Sequence, residues 1–367
     1  MELGLRASGH VTKLLCEKDS SAVAVLRDRF PDVRLHLDVR TLRSVPRAAS
    51  LIVAGFPCQN LSQAGDTKGI LGPESGLIRS VFRLVRKHRT PWVLLENVPF
   101  MLRLGRGEAM ELIASRFERL GYKWAYRVID ARAFGLPQRR RRVYFLASRV
   151  GDPRDVLFAD DAGDPTHRGS RRDSVATGFY WTEGLRGLGW AVDAIPTLKG
   201  GSGLGIPSPP AIVFPDGFVG TPSIADAERL QGFPSAWTRA ADRVQERGAR
   251  WRLVGNAVSV PAARWIGRRL RHPGKPLDLE TTPLFQGDRW PLAAWNVGGG
   301  RVGVDASEWP VVHKYRSLHS FVRTPTKPLS AKATAGFLSR TERAKLRFPP
   351  RFLKALRNHL AFMGGSR

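Results

Sequence analysis

Short apolar runs alternate with amphipathic segments over about the first 150 residues of the chain. Residues 51–54 and 91–95 are continuous apolar runs, which are typical of strands buried in a sheet. Between them, residues 74–88 carry apolar side chains at helical spacing, so that these side chains share one face of a predicted helix. The alternation predicts an α/β layer with a largely parallel sheet, and ligands of such sheets bind at the carboxyl ends of the strands.

The apolar pattern changes after Ala147. Residues 149–222 are rich in Gly, Pro, Asp and Arg and predict a smaller, loop-rich region, after which helical patterns return at 223–230 and 261–270. We therefore predict three parts, which are a main domain over 1–148 continued by 223–270, a small domain over 149–222, and a basic C-terminal extension over 271–367.

The charge of the chain points to a polyanionic partner. Its 59 Lys and Arg residues exceed its 32 Asp and Glu residues, which gives a net charge of +27 and a pI near 11.3. Such an excess attracts nucleic acid, although a genome that favours arginine would produce the same bias. A hydrophobic content of 42% argues against a disordered chain.

Membrane and disulfide classes do not fit the sequence. Its apolar runs are far shorter than the roughly 18 residues that span a bilayer, and no apolar signal segment opens the chain, so we expect an intracellular protein. The two cysteines, Cys16 and Cys58, cannot form a disulfide framework or a cysteine-rich zinc site, and we predict no metal.

Cys58 lies in the segment Gly-Phe-Pro-Cys-Gln, which directly follows the apolar run at 51–54. A cysteine at a strand-to-loop turn is displayed at the carboxyl edge of the sheet, where Pro57 fixes its own φ angle and Gly55 allows a close approach. This position suits a nucleophile. The alternative is a small buried hydrophobic side chain, which is the more common fate of a free cysteine.

The next strand ends in Glu96 and Asn97, and later segments add further polar groups. A carboxyl group at that edge can act as a proton donor, or it can simply cap a helix or form an ion pair. In the run at 138–142, alternation along a strand puts Gln138, Arg140 and Arg142 on one face. An arginine array there can bind phosphate or a carbonyl oxygen, or it can be a solvated edge.

Five segments in this order resemble the DNA (cytosine-5-)-methyltransferase family over about residues 3–270. They are Pro-Cys-Gln at 57–59, Glu-Asn-Val at 96–98, Gln-x-Arg-x-Arg at 138–142, Arg-Leu-Gln-Gly-Phe-Pro at 229–234 and Gly-Asn-Ala-Val at 255–258. The resemblance implies a Rossmann-like class I methyltransferase domain dependent on S-adenosyl-L-methionine, followed by a smaller target recognition domain at 149–222.

The resemblance also implies a mechanism on a cytosine flipped out of duplex DNA. Cys58 attacks C6 of the base, and Glu96 bonds its N3 edge. Arg140 and Arg142 orient the base and the catalytic loop, and Asn97 braces that loop. Gln138 also belongs to the implied catalytic residues. C5 then takes the methyl group of the cofactor.

The implied cofactor contacts are less complete. Glu17 matches the residue that bonds the ribose hydroxyls, and Asp38 with Val39 matches the adenine site. Pro57, Asn256 and Ala257 match the residues that close the pocket. The family's opening strand and glycine-rich turn are missing before residue 1, so we expect either an upstream start or an impaired chain. The sequence as it stands predicts weak binding of S-adenosylmethionine.

DNA contacts and partners follow from the same resemblance. The candidates in the target recognition region are Arg171, Arg172, Tyr180, Trp181 and Lys199, and the basic residues 340–357 lie along DNA or form a solvated helix face. We expect a monomer in the bacterial cytoplasm that modifies nucleoid DNA, with a cognate restriction endonuclease or as a solitary methylase. The alternatives are a DNA-binding fragment impaired in catalysis and a transfer-RNA cytosine-5 methyltransferase.

Overall fold

A computed structural model of the chain forms two compact units. Unit 1 contains residues 1–133, 141–164 and 258–312, and unit 2 contains residues 134–140, 165–257 and 313–367. The structure describes residues 1–56, 75–165, 175–185, 187–200, 208–244, 246–323, 326–344 and 346–365.

The described elements are numbered along the chain. The strands are β1 (Leu15–Cys16), β2 (Leu35–His36), β3 (Leu51–Gly55), β4 (Trp92–Asn97), β5 (Lys123–Asp130), β6 (Gln138–Arg139), β7 (Arg141–Ser148), β8 (Thr177–Phe179), β9 (Trp190–Val192), β10 (Ile195–Pro196), β11 (Ala211–Val213), β12 (Val219–Thr221), β13 (Thr281–Pro283), β14 (Ala293–Asn296), β15 (Val302–Val304) and β16 (Lys327–Pro328). The helices are α1 (Glu2–Arg6), α2 (Ser20–Arg29), α3 (Ser75–His88), α4 (Glu108–Arg119), α5 (Arg154–Leu157), α6 (Ile224–Leu230), α7 (Ala249–Asn256), α8 (Val260–Arg271), α9 (Leu318–Phe321), α10 (Ala331–Arg343) and α11 (Pro350–Gly365).

Unit 1 is built on a mixed sheet of seven described strands, in the order β13-β15-β14-β5-β7-β4-β3. The strand pair β3–β4 is parallel, as the alternation of strand and helix predicts. The prediction of a largely parallel sheet is wrong, however, because the other neighbouring strands in the described part of this sheet are antiparallel. The connection from β5 to β7 contains only residues 131–140, too few for a crossover helix, so the chain returns antiparallel.

The apolar runs form the centre of this sheet. Val93, Leu94 and Leu95 of β4 are at most 2% exposed, because helices cover the sheet. Helices α3 and α4 bury their apolar faces in the same core, in which Phe117 stacks on Phe145 of β7. Asp19 caps the start of α2, since its carboxylate accepts a hydrogen bond of 2.9 Å from the Ala22 amide.

Strands β1 and β2 form a separate parallel pair in unit 1. The opening residues form the short helix α1, which packs against α8. This contact requires Gly4, because a Cβ atom there would lie 2.5 Å from the Val260 carbonyl oxygen.

Unit 2 contains an antiparallel sheet of five described strands, in the order β16-β12-β11-β8-β9. Helices α10 and α11 pack on it, and Phe179 of β8 contacts Phe337 and Phe352 of these helices. The two units therefore differ from the predicted domains. The region predicted as one extension, 271–367, supplies β13–β15 to the sheet of unit 1 and the C-terminal helices to the core of unit 2.

Candidate active site

The carboxyl end of β4 presents a carboxylate and a guanidinium in contact. Glu96 pairs in register with Gly55 at the end of β3, and its side chain is 10% exposed. Arg142 of β7 approaches it, with 3.1 Å between the Arg142 Nε and the Glu96 Oε1 atoms. A Cβ atom on residue 55 would lie 3.6 Å from the Glu96 Oε2 atom, so glycine leaves open space beside the carboxylate. A buried acid and a cationic donor therefore lie together at the sheet edge that the sequence predicts.

Asn97 connects this edge to Phe56, the last residue that the structure describes before position 57. Its side-chain amide lies 3.5 Å from the Phe56 carbonyl oxygen, and its Oδ1 atom accepts a hydrogen bond of 2.8 Å from the Val98 amide. The contact joins the end of β4 to the residue that precedes Pro57. Pro57 and Cys58 themselves lie outside the described residues.

Gln138 and Arg140 lie in unit 2, where both side chains bind backbone groups. Arg140 is 2% exposed, and its guanidinium donates to the carbonyl oxygens of Leu198, Gly255 and Ala257 at 3.1, 3.1 and 2.6 Å. Gln138 donates to the Leu230 carbonyl at 2.8 Å and accepts from the Leu198 amide at 3.0 Å. These side chains join the segments around 198, 230 and 255, which are distant in sequence.

The structure therefore divides the predicted arginine array. Gln138 and Arg140 share partners in unit 2, as their common strand face predicts, whereas Arg142 pairs with Glu96 in unit 1. In the structure Arg140 holds backbone carbonyls, and its predicted contact with the base stays a prediction.

Asn256 and Ala257 lie at the end of α7, beside the residues that Arg140 binds. The Asn256 side chain is exposed, and its Oδ1 atom would lie 2.8 Å from a Cβ atom on Gly200. Gly255 has no room for a side chain, since a Cβ atom there would lie 2.1 Å from the Lys199 carbonyl carbon. The Gly-Asn-Ala segment thus needs its glycine for close backbone packing.

Glu17, Asp38 and Val39 line a cavity of about 1010 Å³ within unit 1. Glu17 follows β1, and its Oε1 atom accepts hydrogen bonds of 2.8 and 2.9 Å from the Lys18 and Asp19 amides. Hydrogen bonds from Arg40 lower the pKa of Asp38 to about 2, so this carboxylate is ionised at neutral pH. The lining of the cavity also includes Gly55 and Phe56 of the sheet edge.

Arg83 of α3 is a residue of this region that the sequence analysis missed. Its Nη2 atom donates to the carbonyl oxygens of Val39, Arg40 and Leu42 at 3.2, 3.3 and 2.9 Å. Lys87, one turn further along α3, donates to the Arg43 carbonyl at 3.0 Å. The helix therefore fixes the backbone on which Asp38 and Val39 lie. No local pattern marks Arg83, because its partners are 41 to 44 residues away in the sequence.

Three predicted DNA-binding residues lie together in unit 2. The Tyr180 hydroxyl donates to the Thr197 carbonyl at 2.6 Å, and burial raises its pKa well above the usual value. The Lys199 ammonium lies 4.1 Å from the centre of the Tyr180 ring and 3.1 Å from the Glu183 carboxylate. The Trp181 indole donates to the Pro209 carbonyl at 2.8 Å. Arg171 and Arg172 lie outside the described residues.

The described residues offer neither a cluster of metal ligands nor a membrane-spanning helix. No group of three or more His, Cys, Asp or Glu side chains among the described residues is placed to hold a metal ion. None of the described helices is both long and apolar enough to cross a membrane.

Comparisons with known proteins agree on one family. The sequence profile described as C-5 cytosine-specific DNA methylase matches residues 1–167. The type II methyltransferase M2.BsuMI of Bacillus subtilis (strain 168) is 47% identical over 371 residues, which cover 97% of this chain and 94% of that protein. The type II methyltransferase M.AquIA of Picosynechococcus sp. is 28% identical over 191 residues, which cover 47% of this chain and 76% of that protein. The solved structure of the Entamoeba histolytica methyltransferase EhMeth matches with a TM-score of 0.50 at 12% identity. The match covers 73% of this chain and 94% of that one, and at this identity it supports the fold alone.

Proposed function

Because this chain belongs to the C-5 cytosine-specific DNA methylase family, we propose that its Glu96–Arg142 pair binds the cytosine that it methylates. The chain is a DNA (cytosine-5-)-methyltransferase, similar over nearly its whole length to a type II enzyme. The observation that carries the assignment of the base site is the 3.1 Å contact of two nearly buried, oppositely charged side chains beside Gly55. In such a pair the guanidinium is a cationic hydrogen-bond donor to the polar edge of a pyrimidine, and the carboxyl group, once protonated, is a proton donor to the same edge.

Each group has a separate task in the proposed reaction. The Cys58 thiolate adds to C6, so that a sulfur–carbon bond forms and electron density moves toward C5 and N3 of the ring. Glu96 in its protonated form donates its proton to N3 and takes it back when the aromatic ring is restored, and Arg142 donates a hydrogen bond to the O2 carbonyl oxygen. The nucleophilic C5 takes the methyl group that the bound cofactor would supply. Solvent then takes the C5 proton, and the electron pair of that C–H bond forms the C5–C6 double bond as the sulfur–carbon bond breaks and the thiolate returns. Asn97 braces the backbone before Pro57, as its contact with Phe56 suggests.

The target base has to leave the DNA helix before these groups can reach it. C5 and C6 of a stacked cytosine are inaccessible to a buried carboxylate and a thiolate, so the base is flipped out. Tyr180, Trp181 and Lys199 of unit 2, together with Arg171 and Arg172, are the proposed contacts with the DNA around it.

The residues around the cavity of unit 1 fit S-adenosylmethionine. A volume of about 1010 Å³ accommodates a nucleoside with its amino-acid arm, since ligand pockets generally measure about 300–1,000 Å³. Carboxylates are suitable acceptors for the two ribose hydroxyls and for an adenine amino group. We assign the ribose to Glu17 and the adenine to Asp38 and Val39, with Pro57, Asn256 and Ala257 as further proposed contacts. When bound, the cofactor supplies the electrophilic methyl group.

A covalent adduct tests the proposed base site. Duplex DNA that contains 5-fluorocytosine blocks loss of the C5 substituent, so the sulfur–carbon bond should persist after methyl transfer. Mass spectrometry of the protein incubated with this DNA and S-adenosylmethionine should detect a DNA adduct on a peptide that contains Cys58. An adduct on a peptide with Cys16, or methylated cytosine without any trapped adduct, would contradict the assignment.

Arg83 should affect the cofactor more than the chemistry. Arg83→Met removes three hydrogen bonds to the 39–42 backbone, and we expect the KM for S-adenosylmethionine to rise by roughly tenfold with kcat changed less than about twofold. Arg83→Lys should restore part of the affinity, because one ammonium reaches fewer carbonyls than a guanidinium. The measurement is steady-state methyl transfer at varied cofactor concentration. A fall in kcat with an unchanged KM would contradict this role.

The proposed biological setting follows the names of the relatives. We propose that the enzyme protects DNA in the bacterial cytoplasm against a restriction endonuclease of the same specificity, and that it acts as a monomer. Bisulfite sequencing of DNA modified by the enzyme should identify one short target sequence, and this sequence defines the specificity expected of the endonuclease.

A further inference from the structure

The positive charge of the protein is concentrated at its C-terminal end. Residues 313–367 contain 13 Lys and Arg residues and one acidic residue, Glu342, so they carry +12 of the total net charge of +27. These residues make up the last part of unit 2, where α10 and α11 pack on the five-stranded sheet. Eleven of these 13 cations lie among the described residues, so most of the charge belongs to a folded part of the molecule.

Helix α11 separates apolar from basic side chains. Phe352, Leu356 and His359 are buried, and His359 makes a 2.7 Å hydrogen bond with the Leu329 carbonyl oxygen. Arg351, Lys354 and Arg357 are exposed. At 100° per residue these three cations spread over about 120° and are centred opposite the buried side chains. We call this set the α11 basic face.

The stability of the helix does not explain this charge. Arg351 with Lys354, and Lys354 with Arg357, are like-charged pairs at a spacing of three residues, which destabilise a helix by about 0.2–0.5 kcal/mol each. No acidic residue occurs anywhere in the α11 sequence to offset the repulsion. A surface that keeps such pairs is suited to a polyanion, because bound phosphates relieve the repulsion.

We propose that the α11 basic face binds the phosphate backbone of the substrate duplex DNA. This inference rests on duplex DNA as the substrate and adds a binding surface beyond the base and cofactor sites. The buried face of α11 fixes the direction in which the cations point, so the helix can hold DNA without first becoming ordered. Contacts of this kind position the duplex and carry no sequence information. Membrane lipid is a poorer occupant, because Phe352 and Leu356 opposite the cations are already buried in unit 2, and Phe362 is the one large apolar side chain of the described α11 that is strongly exposed.

The test removes two cations and keeps the helix. Lys354→Gln combined with Arg357→Gln retains good helix formers at exposed positions. Binding of a fluorescent 30-base-pair duplex is measured by anisotropy between about 50 and 300 mM salt. Loss of two phosphate contacts should reduce the slope of log K against log salt by about 1.8 and weaken binding on the order of tenfold at 150 mM salt.

The matched control is Arg116→Gln combined with Arg119→Gln on α4. These two arginines are also exposed and three residues apart, but they lie in unit 1. Their removal should leave the slope and the affinity within about twofold of the wild-type values. The midpoint temperature of thermal unfolding is measured for both double variants. A midpoint equal to that of the wild-type protein shows that the fold is intact.

The other results overturn either this proposal or the proposed base site, and they are distinguishable. An unchanged slope in the α11 variant, or an equal loss in the α4 control, means that α11 makes no particular DNA contact. Weaker binding to phosphatidylserine vesicles with unchanged binding to DNA would assign the surface to a membrane instead. If the wild-type chain binds no duplex, both this surface and the DNA substrate fail. Normal DNA binding without an adduct on Cys58 would contradict the proposed base site alone.

Discussion

Cys58→Ala should abolish methyl transfer to DNA, with a fall in rate of about 10⁴-fold or more. The thiolate makes the bond to C6 that turns C5 into a nucleophile, and alanine offers no group that can replace it. Affinity for duplex DNA should change little, because cationic side chains that bind phosphates supply most of that free energy. Filter binding and transfer of a radiolabelled methyl group, measured on the same preparation, separate the two effects.

Cys16→Ser provides the control for this substitution. Desolvation and the neighbouring Glu17 and Asp38 carboxylates raise the pKa of Cys16 to about 11, so its thiol stays protonated at neutral pH. A protonated thiol is a poor nucleophile, and the serine variant should still form the covalent adduct with 5-fluorocytosine. If alanine at position 58 leaves full activity, the covalent mechanism fails for this chain.

Glu96→Gln should lower kcat by roughly two to four orders of magnitude. Glutamine keeps the size of the side chain and can still accept a hydrogen bond from Arg142, but it cannot transfer a proton to N3 of the base. The loss should therefore appear in kcat more than in the affinity for DNA. Single-turnover methyl transfer with saturating DNA and cofactor measures the step directly.

Glu111→Gln is a matched control for the loss of a paired carboxylate. Glu111 of α4 lies in unit 1 and bonds Arg301 at 2.7 Å, as Glu96 bonds Arg142 at 3.1 Å, but it lies on a helix away from the sheet edge. Its substitution should change kcat less than about twofold. A comparable loss of kcat in both variants would indicate destabilisation of unit 1 and contradict a role of Glu96 in proton transfer.

The sequence alone was sufficient to predict the local elements and the family. Continuous apolar runs predicted the buried strands β3 and β4, and helical spacing of apolar residues predicted α3. Both predictions were possible because burial produces a pattern of apolar residues that is visible within a short stretch of sequence. The order of five motifs identified the family, which the comparisons confirm. The positions of Glu96 and Arg142 at strand ends were also predictable, since both residues directly border apolar runs.

Other features depend on residues that are far apart in the chain. The antiparallel placement of β7 between β4 and β5 follows from a short connection and from tertiary pairing, and neither leaves a periodic signal. Arg140 binds the Gly255 carbonyl across 115 residues, and Arg83 binds the Val39 carbonyl across 44. A side chain that satisfies backbone carbonyls selects its partners by shape and distance, and the partner's residue type carries no information about the contact.

The C-terminal residues show most clearly which properties the sequence determines and which depend on the tertiary structure. Their composition determined that the end of the chain is basic, because net charge is a sum over the sequence. Only the tertiary structure decided that residues 281–304 extend the sheet of unit 1 and that α11 turns its cations outward from the core of unit 2. The physical reason is that burial of one helix face is set by the apolar surface it packs against, and here strands more than a hundred residues earlier in the chain provide that surface.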